Sequence, residues 1–496
     1  MAIIQFKEGL YRGVSPLTEG ELGEILARFK AEIVVGHPTF QNADNIGKEL
    51  AGGLKAAGEV YPGNKIAFIV SDGTCRMDLP DGTTLDAALE ASAEIFQQLG
   101  PPASKNLLVA AVPYDGYKND RTPGKGSALK LIFDEVGRCP AMTMLILLDG
   151  DLRNDLKPWF TVFRQIHNAH RADNKGKDFF ITARYARHFV DASLTRFVVG
   201  PLTTLMGTYV PGGISGDIVL SAGAVRHERS AHWDEHRRRY GTDIATTFDN
   251  IADPDVVIYE AYLGAKLHDI TDDTKLSVMP GEVIGAALDR IMHFESTGGR
   301  LRRILRDDVP VNRPVIWGAE RTGIEFIDPG FTNVFSVDVK RNILIEKFNR
   351  FKDPMREVLL PDTFAAIQQS YYRLTGLPTG DDDPFEFMGV TPRLWIDVLY
   401  QSIAYLLSRQ DAETVKLCLN YLYTAAFLEF CREKLIELGA VTFGDVRRME
   451  PALGVPPEKA QEFYRHRVDR RVEKMALEFY GGRKKILEYL GERNNQ

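Results

Sequence analysis

Two aspartates separated by a glycine, Asp149-Gly150-Asp151, follow directly on the apolar run TMLILL. Two carboxylates one residue apart at a strand end are hard oxygen donors suited to Mg2+ or Mn2+, and a metal held there can in turn hold a diphosphate. The same tripeptide also makes an ordinary polar turn, so its chemistry depends on what stands near it. Upstream, in PGKGSAL, Lys125 lies between Gly124 and Gly126 where a helical pattern begins. Free N–H groups at a helix start, with an ammonium beside them, suit the anionic oxygens of a nucleotide. The spacing is not that of a P-loop, which needs G-x-x-x-x-G-K-[ST]. Downstream, His268 closes the run GAKLH. A histidine after a strand is more often structural than not, but imidazole is a suitable further donor for Mn2+ beside carboxylates. A fourth segment, HWDEH from His232 to His236, has the H-x-x-E-H order of the inverzincin metalloproteases. It falls in the most charged stretch of the chain, RHERSAHWDEHRRRYG, with little apolar periodicity. A solvated or acceptor-facing loop is the expectation there, not a zinc helix.

These residues must be carried by regular elements. AEIVVGHP, NKIAFIVSDG, KNLLVAAVPYD and TMLILLDGD read as buried strands. Between them, NADNIGKELAGGLKAAG, TTLDAALEASAEIFQQLG and GKGSALKLIFDEVG read as helices. Short apolar strands alternating with longer helices describe an α/β fold: a Rossmann-like, mostly parallel sheet with helices on both faces. Ligands of such sheets bind beyond the carboxyl ends of the strands. The motifs there are HPTF, SDGT, PYDG and DGDLRN. From Asp178 to Asp272 the pattern is mixed, with DFFITARYA, DIVLSAGAV and DVVIYEAYLGAKL as further apolar runs. After about Leu276 it is largely α-helical, broken near residue 380 by the Pro- and Asp-rich stretch GLPTGDDDPFEFMGVTP. The expected division is a helical N-terminal extension over 1–29, the α/β domain over 30–275, and a helical C-terminal region over 276–496 that serves packing or oligomerisation, with a homodimer as the expected state.

Composition narrows the partners. Lys and Arg total 61 against 68 for Asp and Glu, a net charge of −7. That mild acidity argues against duplex nucleic acid as the ligand. Four scattered cysteines with no C-x-x-C pair give neither a disulfide framework nor a zinc knuckle. The N-terminus lacks a signal-peptide core, and the most apolar run stops at about eight residues where a membrane span needs ~20. A soluble, cytoplasmic protein with no membrane span is expected.

The order HPTFQNADNI, SDGT, PGKGSAL, LLDGDLRN, YGTDIATTF and AYLGAKLH resembles the glycosyltransferases of the GT-A fold, and within them the glucosyl-3-phosphoglycerate synthases and related glucosylglycerate and mannosylglycerate synthases. The resemblance covers about residues 30–275. It implies that Pro38, Thr39, Phe40 and Asn42 hold the nucleotide base, that Asp72 lies near the nucleoside, and that Lys125 reaches the nucleotide. It further implies that Asp149 and Asp151 form the DxD motif, with Asp151 and His268 as metal ligands. Lys266 stands where the family has an arginine facing the acceptor carboxylate, and Asp243 matches an acidic residue near the sugar or acceptor. The family's acceptor loop reads G-R-V-T where this chain has Ala192, Ser193, Leu194 and Thr195. Ser193 thus replaces an arginine that would meet a phosphate, so free glycerate stands beside 3-phosphoglycerate as acceptor. Arg237, Arg238 and Arg239 offer a substitute if their loop folds inward.

The resemblance therefore implies a metal-dependent, retaining hexosyltransferase that uses a nucleotide diphosphate sugar (UDP-, GDP- or ADP-hexose) and Mg2+ or Mn2+. Asp151, Asp243 and Lys266 would be its catalytic residues, and a glucosylglycerate-type compatible solute its product. Transfer of mannose from GDP-mannose is the alternative, and a non-catalytic nucleotide-sugar binder a further one. A pyrophosphorylase would need a glycine-rich loop after the first strand, and a dinucleotide oxidoreductase would need G-x-G-x-x-G there. HPTFQN supplies neither.

Overall fold

The computed structural model describes residues 2–14, 17, 19–73, 83–100, 104–114, 122–185, 192–264, 266–268, 273–318, 337–376, 390–437 and 468–494. Thr74 of SDGT, Asp115 and Gly116 of PYDG, and residues 377–389 of the Pro- and Asp-rich stretch lie outside them. The chain forms two compact units: Met1–Tyr185 with Ile214–Asp269 and Pro314–Glu320, and Ala186–Gly213 with Ile270–Arg313 and Arg321–Gln496.

The first unit is built on one ten-stranded sheet, ordered β1-β2-β5-β4-β3-β6-β8-β7-β9-β10. Its parallel heart is β3 (Ile33–Thr39), β4 (Ile66–Asp72), β5 (Leu107–Pro113) and β6 (Met144–Leu147). These strands are nearly continuous apolar runs because both faces are covered. Val35, Phe68 and Val109 point into one core with α2 (Ala43–Val60), α3 (Thr83–Leu99) and the helix Leu156–Asp173. Val34, Ile69 and Leu108 point into the other, with α1 (Glu21–Phe29) and the helices Lys125–Val136 and Ala222–Ser230. The sheet is thus α/β and mostly parallel, with helices on both faces.

Three features depart from the sequence expectation. Residues 1–29 do not form a purely helical extension. They open with a hairpin of β1 (Ile3–Lys7) and β2 (Leu10–Gly13), and β2 pairs in parallel with β5. Gly9 makes the return at a φ of +74°, and a Cβ there would come within 2.9 Å of the Phe96 ring. Second, β8 (Ile218–Ser221) runs antiparallel between β6 and β7 (Asp178–Tyr185). Beyond it, β7 pairs in parallel with β9 (Val256–Gly264). Third, β10 (Val315–Trp317) joins β9 at the sheet edge, a strand inside the stretch expected to be helical.

The second unit is helical. Its longest described helices are Asp273–Gly298, Val337–Val358, Pro392–Arg409 and Ala412–Glu437. The Trp395 indole donates to the Phe197 carbonyl at 2.9 Å, and Phe197 meets the rings of Phe427 and Phe430 edge-on. No described helix is long and apolar enough to cross a membrane. Arg483, almost fully buried, donates to the carbonyls of Ile304 (2.9 Å), Asp307 (2.8 Å) and Tyr480 (3.1 Å). It thereby satisfies the acceptors left open at the end of the helix Arg300–Arg306. Arg483→Met is expected to destabilise this unit by about 3 kcal/mol, since several charge-assisted bonds are lost and their carbonyls stay buried. Chemical denaturation checks it.

Candidate functional site

The site stands at the carboxyl ends of β3, β4 and β6. The strand register sets Thr39 opposite Asp72, and the Thr39 hydroxyl donates to the Asp72 carboxylate at 3.0 Å. Beyond β3 the chain turns sharply. Asn42 accepts the Phe40 N–H at 2.8 Å just before α2, and Phe40 is 42% exposed. After β6, Gly150 crosses close under the end of β3, where a Cβ would lie 2.6 Å from Thr39 and 3.0 Å from the Pro38 carbonyl. Only glycine lets the Asp149–Asp151 turn nest there.

Asp149 is the hub. Lys125 Nζ approaches one of its oxygens at 2.8 Å and Lys266 Nζ the other at 2.5 Å. Lys125 also meets Asp243 at 3.0 Å, and Lys266 meets Asp217 at 2.6 Å. Burial alone would lower both lysine pKa values, but the carboxylates outweigh it and both ammoniums are held well above their ordinary value. Asp149 is partly desolvated, yet the two lysines drive its carboxyl far below the usual range. Lys266 gives a further hydrogen bond to the Ser215 carbonyl at 3.0 Å, so the side chain expected to face an acceptor carboxylate has its three donors engaged inside the unit.

Asp217 was not singled out in the sequence. It accepts the Asp149 N–H at 3.0 Å and the Tyr185 hydroxyl, and is itself fully buried. The signal available for it was an aspartate just ahead of the apolar run IVLS. Its importance depends on β8 lying antiparallel against β6, which local sequence does not reveal. Gly216, at a φ of +79°, precedes it, and a Cβ there would overlap the Asp149 carboxylate.

Asp151 and His268 are brought side by side. Leu152 and His268 form an antiparallel bridge, the Arg153 N–H donates to the Leu267 carbonyl at 2.9 Å, and the Leu267 N–H donates to Asn154 at 2.8 Å. Burial, and then the neighbouring Asp149, push the Asp151 carboxyl above its ordinary pKa. Burial does the same to Asp243 against the pull of Lys125, and Asp243 Oδ1 is buried with no hydrogen-bond partner. Two ammoniums thus face four carboxylates, Asp149, Asp151, Asp217 and Asp243. The two unmatched negative charges equal the charge of one divalent cation. A carboxylate crowded by carboxylates, next to an imidazole, is a donor set that fits Mg2+ or Mn2+.

The charged stretch around HWDEH is not the solvated loop its composition suggests. Arg237 is fully buried, paired with Glu228 and, at 2.7 Å, with Asp249, and its guanidinium lies 4.4 Å from the Trp233 ring centroid. Arg237 is therefore not available to an acceptor phosphate. Arg238 donates to the Trp233 carbonyl at 3.3 Å, and Arg239 pairs with Glu235 at 2.7 Å. The backbone of this hook braces the Lys125 turn. Gly126 N–H donates to the Arg239 carbonyl at 3.0 Å, and a Cβ on Gly126 would overlap the Arg237 carbonyl oxygen. Asp243 follows at the start of the helix Thr242–Ala252, whose Thr246, Asp249 and Asn250 grip Glu228 and Arg237. The remaining two expected residues, Ser193 and Thr195, belong to the second unit, Thr195 opening the short helical segment Thr195–Val199.

No protein-family model matches the chain, and no curated protein matches it. In architecture the first unit is a doubly covered, mostly parallel sheet with a charged cluster at its strand ends. The chain is similar to solved structures of glucosyl-3-phosphoglycerate synthase from Mycobacterium tuberculosis. One, in complex with Mn2+, UDP-glucose and phosphoglyceric acid, is 18% identical over 56% of this chain and 84% of that one, at a TM-score of 0.37. Another, with Mn2+, UDP-glucose and glycerol 3-phosphate, is 20% identical over 56% and 85%, also at 0.37. A third, with Mg2+ and UDP, is 18% identical over 56% and 85%, at 0.36.

Two outcomes are expected from this geometry. Gly126→Ala forces the Lys125 turn away from the hook, so it should destabilise the first unit by about 1–3 kcal/mol, the usual cost of overpacking. Chemical denaturation measures it. The second concerns Glu49 on α2, buried beneath the turn, where burial pushes its carboxyl up to about 7 against the pull of His37. The unfolded chain returns this group to 4.5, so the folded state takes up a proton between those values. Its stability contribution is fully present below pH 4.5, falls as pH rises to about 7, and is flat above. Against Glu49→Gln, the wild type should lose about 3 kcal/mol across that window in denaturation experiments.

Proposed function

We propose that the first unit is a nucleotide-sugar glycosyltransferase of the GT-A type, moving a hexose onto a small carboxylate acceptor with a divalent cation held by Asp151 and His268. The observation that carries the reading is the charge imbalance at the strand ends: two ammoniums, four carboxylates and an adjacent imidazole, where α/β sheets bind their ligands. When bound, the cation supplies Lewis-acid stabilisation of the negative charge that develops on a leaving nucleoside diphosphate.

The chain's own residues supply the rest. Lys125, at the first turn of its helix and fixed by the hook, holds positive charge beside the diphosphate. The half-exposed Phe40 ring beyond β3 offers a face to the nucleotide base, with Pro38, Thr39, Asn42 and Asp72 shaping the turn around it. Asp243, whose Oδ1 has no hydrogen-bond partner, would accept a hydroxyl of the sugar or acceptor. Lys266 and Asp217 keep Asp149 ionised and oriented. The anomeric C–O bond breaks towards the diphosphate while the acceptor oxygen bonds the anomeric carbon on the same face, its proton passing to a diphosphate oxygen. UDP-glucose is the first donor to test and GDP-mannose the second, each against D-glycerate and 3-phosphoglycerate.

Purified protein with Mn2+ should release UDP or GDP and form a hexosyl glycerate from one of these pairs. Binding of a nucleotide sugar with no transfer to either acceptor would leave a binder, and no binding at all would overturn the reading. Excess chelator should abolish turnover, and Asp151→Asn should lower kcat at least about a thousandfold with the melting temperature unchanged or raised. Lys125→Met should raise the donor KM about ten- to a hundredfold, the range of a single charge-assisted hydrogen bond, with less effect on the acceptor KM.

A further inference from the structure

A buried polar pair lies behind the metal turn, on the side away from the two lysines' shared carboxylate. His37, near the end of β3, and Glu49, on α2, are both almost fully buried, with His37 Nδ1 at 2.9 Å from Glu49 Oε1. The imidazole stacks on Phe68 at a centroid distance of 6.2 Å and an interplanar angle of 11°. The pair faces the apolar core that includes Val35, Leu50 and Phe68, and an acid and an imidazole are costly to bury there without a reason. The other Glu49 oxygen, Oε2, accepts the backbone N–H of Leu152 at 3.3 Å. Leu152 follows Asp151 directly, is buried in the same core, and is the residue bridged to His268.

We propose that Glu49, lying against His37, is a positioning residue that fixes the Leu152 backbone and thereby sets the spacing of Asp151 and His268. The inference rests on the metal reading given above. Groups that orient metal ligands without touching the metal commonly change metal affinity ten- to a hundredfold when altered. Here the orienting bond is to backbone, so reach matters more than charge. Glu49→Gln keeps the length and an acceptor oxygen, whereas Glu49→Asp keeps the charge but stops one methylene short.

Mn2+ binding to the full chain in the presence of UDP, followed by electron paramagnetic resonance, tests this without reference to turnover. Glu49→Asp should bind Mn2+ about tenfold more weakly than wild type, with Glu49→Gln within about threefold of it. Exchange of the Leu152 amide should be fast in the Asp variant and slow in the Gln variant. Where the Asp variant does not fold, Glu49→Leu, which fills the volume and removes the acceptor, takes its place with the same expected weakening. Asp151→Asn separates the two ideas. If wild type binds no Mn2+ with UDP, the metal reading falls and this proposal with it. If Asp151→Asn loses Mn2+ while Glu49→Asp and Glu49→Leu bind as wild type does, Glu49 has no positioning role. Weak binding by Glu49→Gln alongside wild-type binding by Glu49→Asp would assign the effect to charge and overturn the proposal equally.

Discussion

Asp149 between two lysines is the contact on which the candidate site depends. One carboxylate, fully used by Lys125 and Lys266, ties together a helix start, a strand end and the segment after β9. Buried ions are costly to desolvate, and such a cluster persists only when every member is closely opposed and hydrogen-bonded. Asp217 completes the arrangement by accepting the Asp149 N–H and pairing with Lys266. Asp149 is consequently occupied on both oxygens by the two lysines.

Close approach at three glycines holds the surrounding turns. Gly126 lies against the carbonyl of Arg237, Gly150 against Pro38 and Thr39, and Gly216 against Asp149. A methyl group at Gly216 would displace the Asp149 carboxylate itself, and one at Gly126 or Gly150 would shift the turn that carries Lys125 or the two aspartates. The fully buried Arg237, paired with Glu228 and Asp249, gives the hook the stiffness that this close approach requires.

The parallel heart of the sheet was legible because buried strands and amphipathic helices each have a local signature. Strands β3 to β6 follow the apolar runs, and Lys125, Asp149, Asp151, Lys266 and His268 are neighbours as their motifs implied. What was not legible depended on non-local pairing. Nothing in SGDIVLS says that this strand enters antiparallel beside β6, and without that Asp217 is one acid among many. The hook was misread for a related reason. Hydropathy scores RHERSAHWDEHRRR as solvated, because it cannot see that Glu228, Arg237 and Asp249 neutralise one another in the interior. The hairpin at the start has too few residues to distinguish its alternation from a helical phase.

The order in which strands leave the ribosome differs from their order in the sheet. β7 is complete at Tyr185, but its neighbours on both sides, β8 and β9, come later, and β8 must insert between β6 and β7. Until Ser221 has been made, DFFITARY is an apolar strand with both edges open and β6 has one edge open. Such edges pair readily with the wrong chain. Asp217 arrives just ahead of the strand that closes this gap, while Asp243 and Lys266 come on either side of β9, so the charged cluster is completed only as the last edge of β7 is paired.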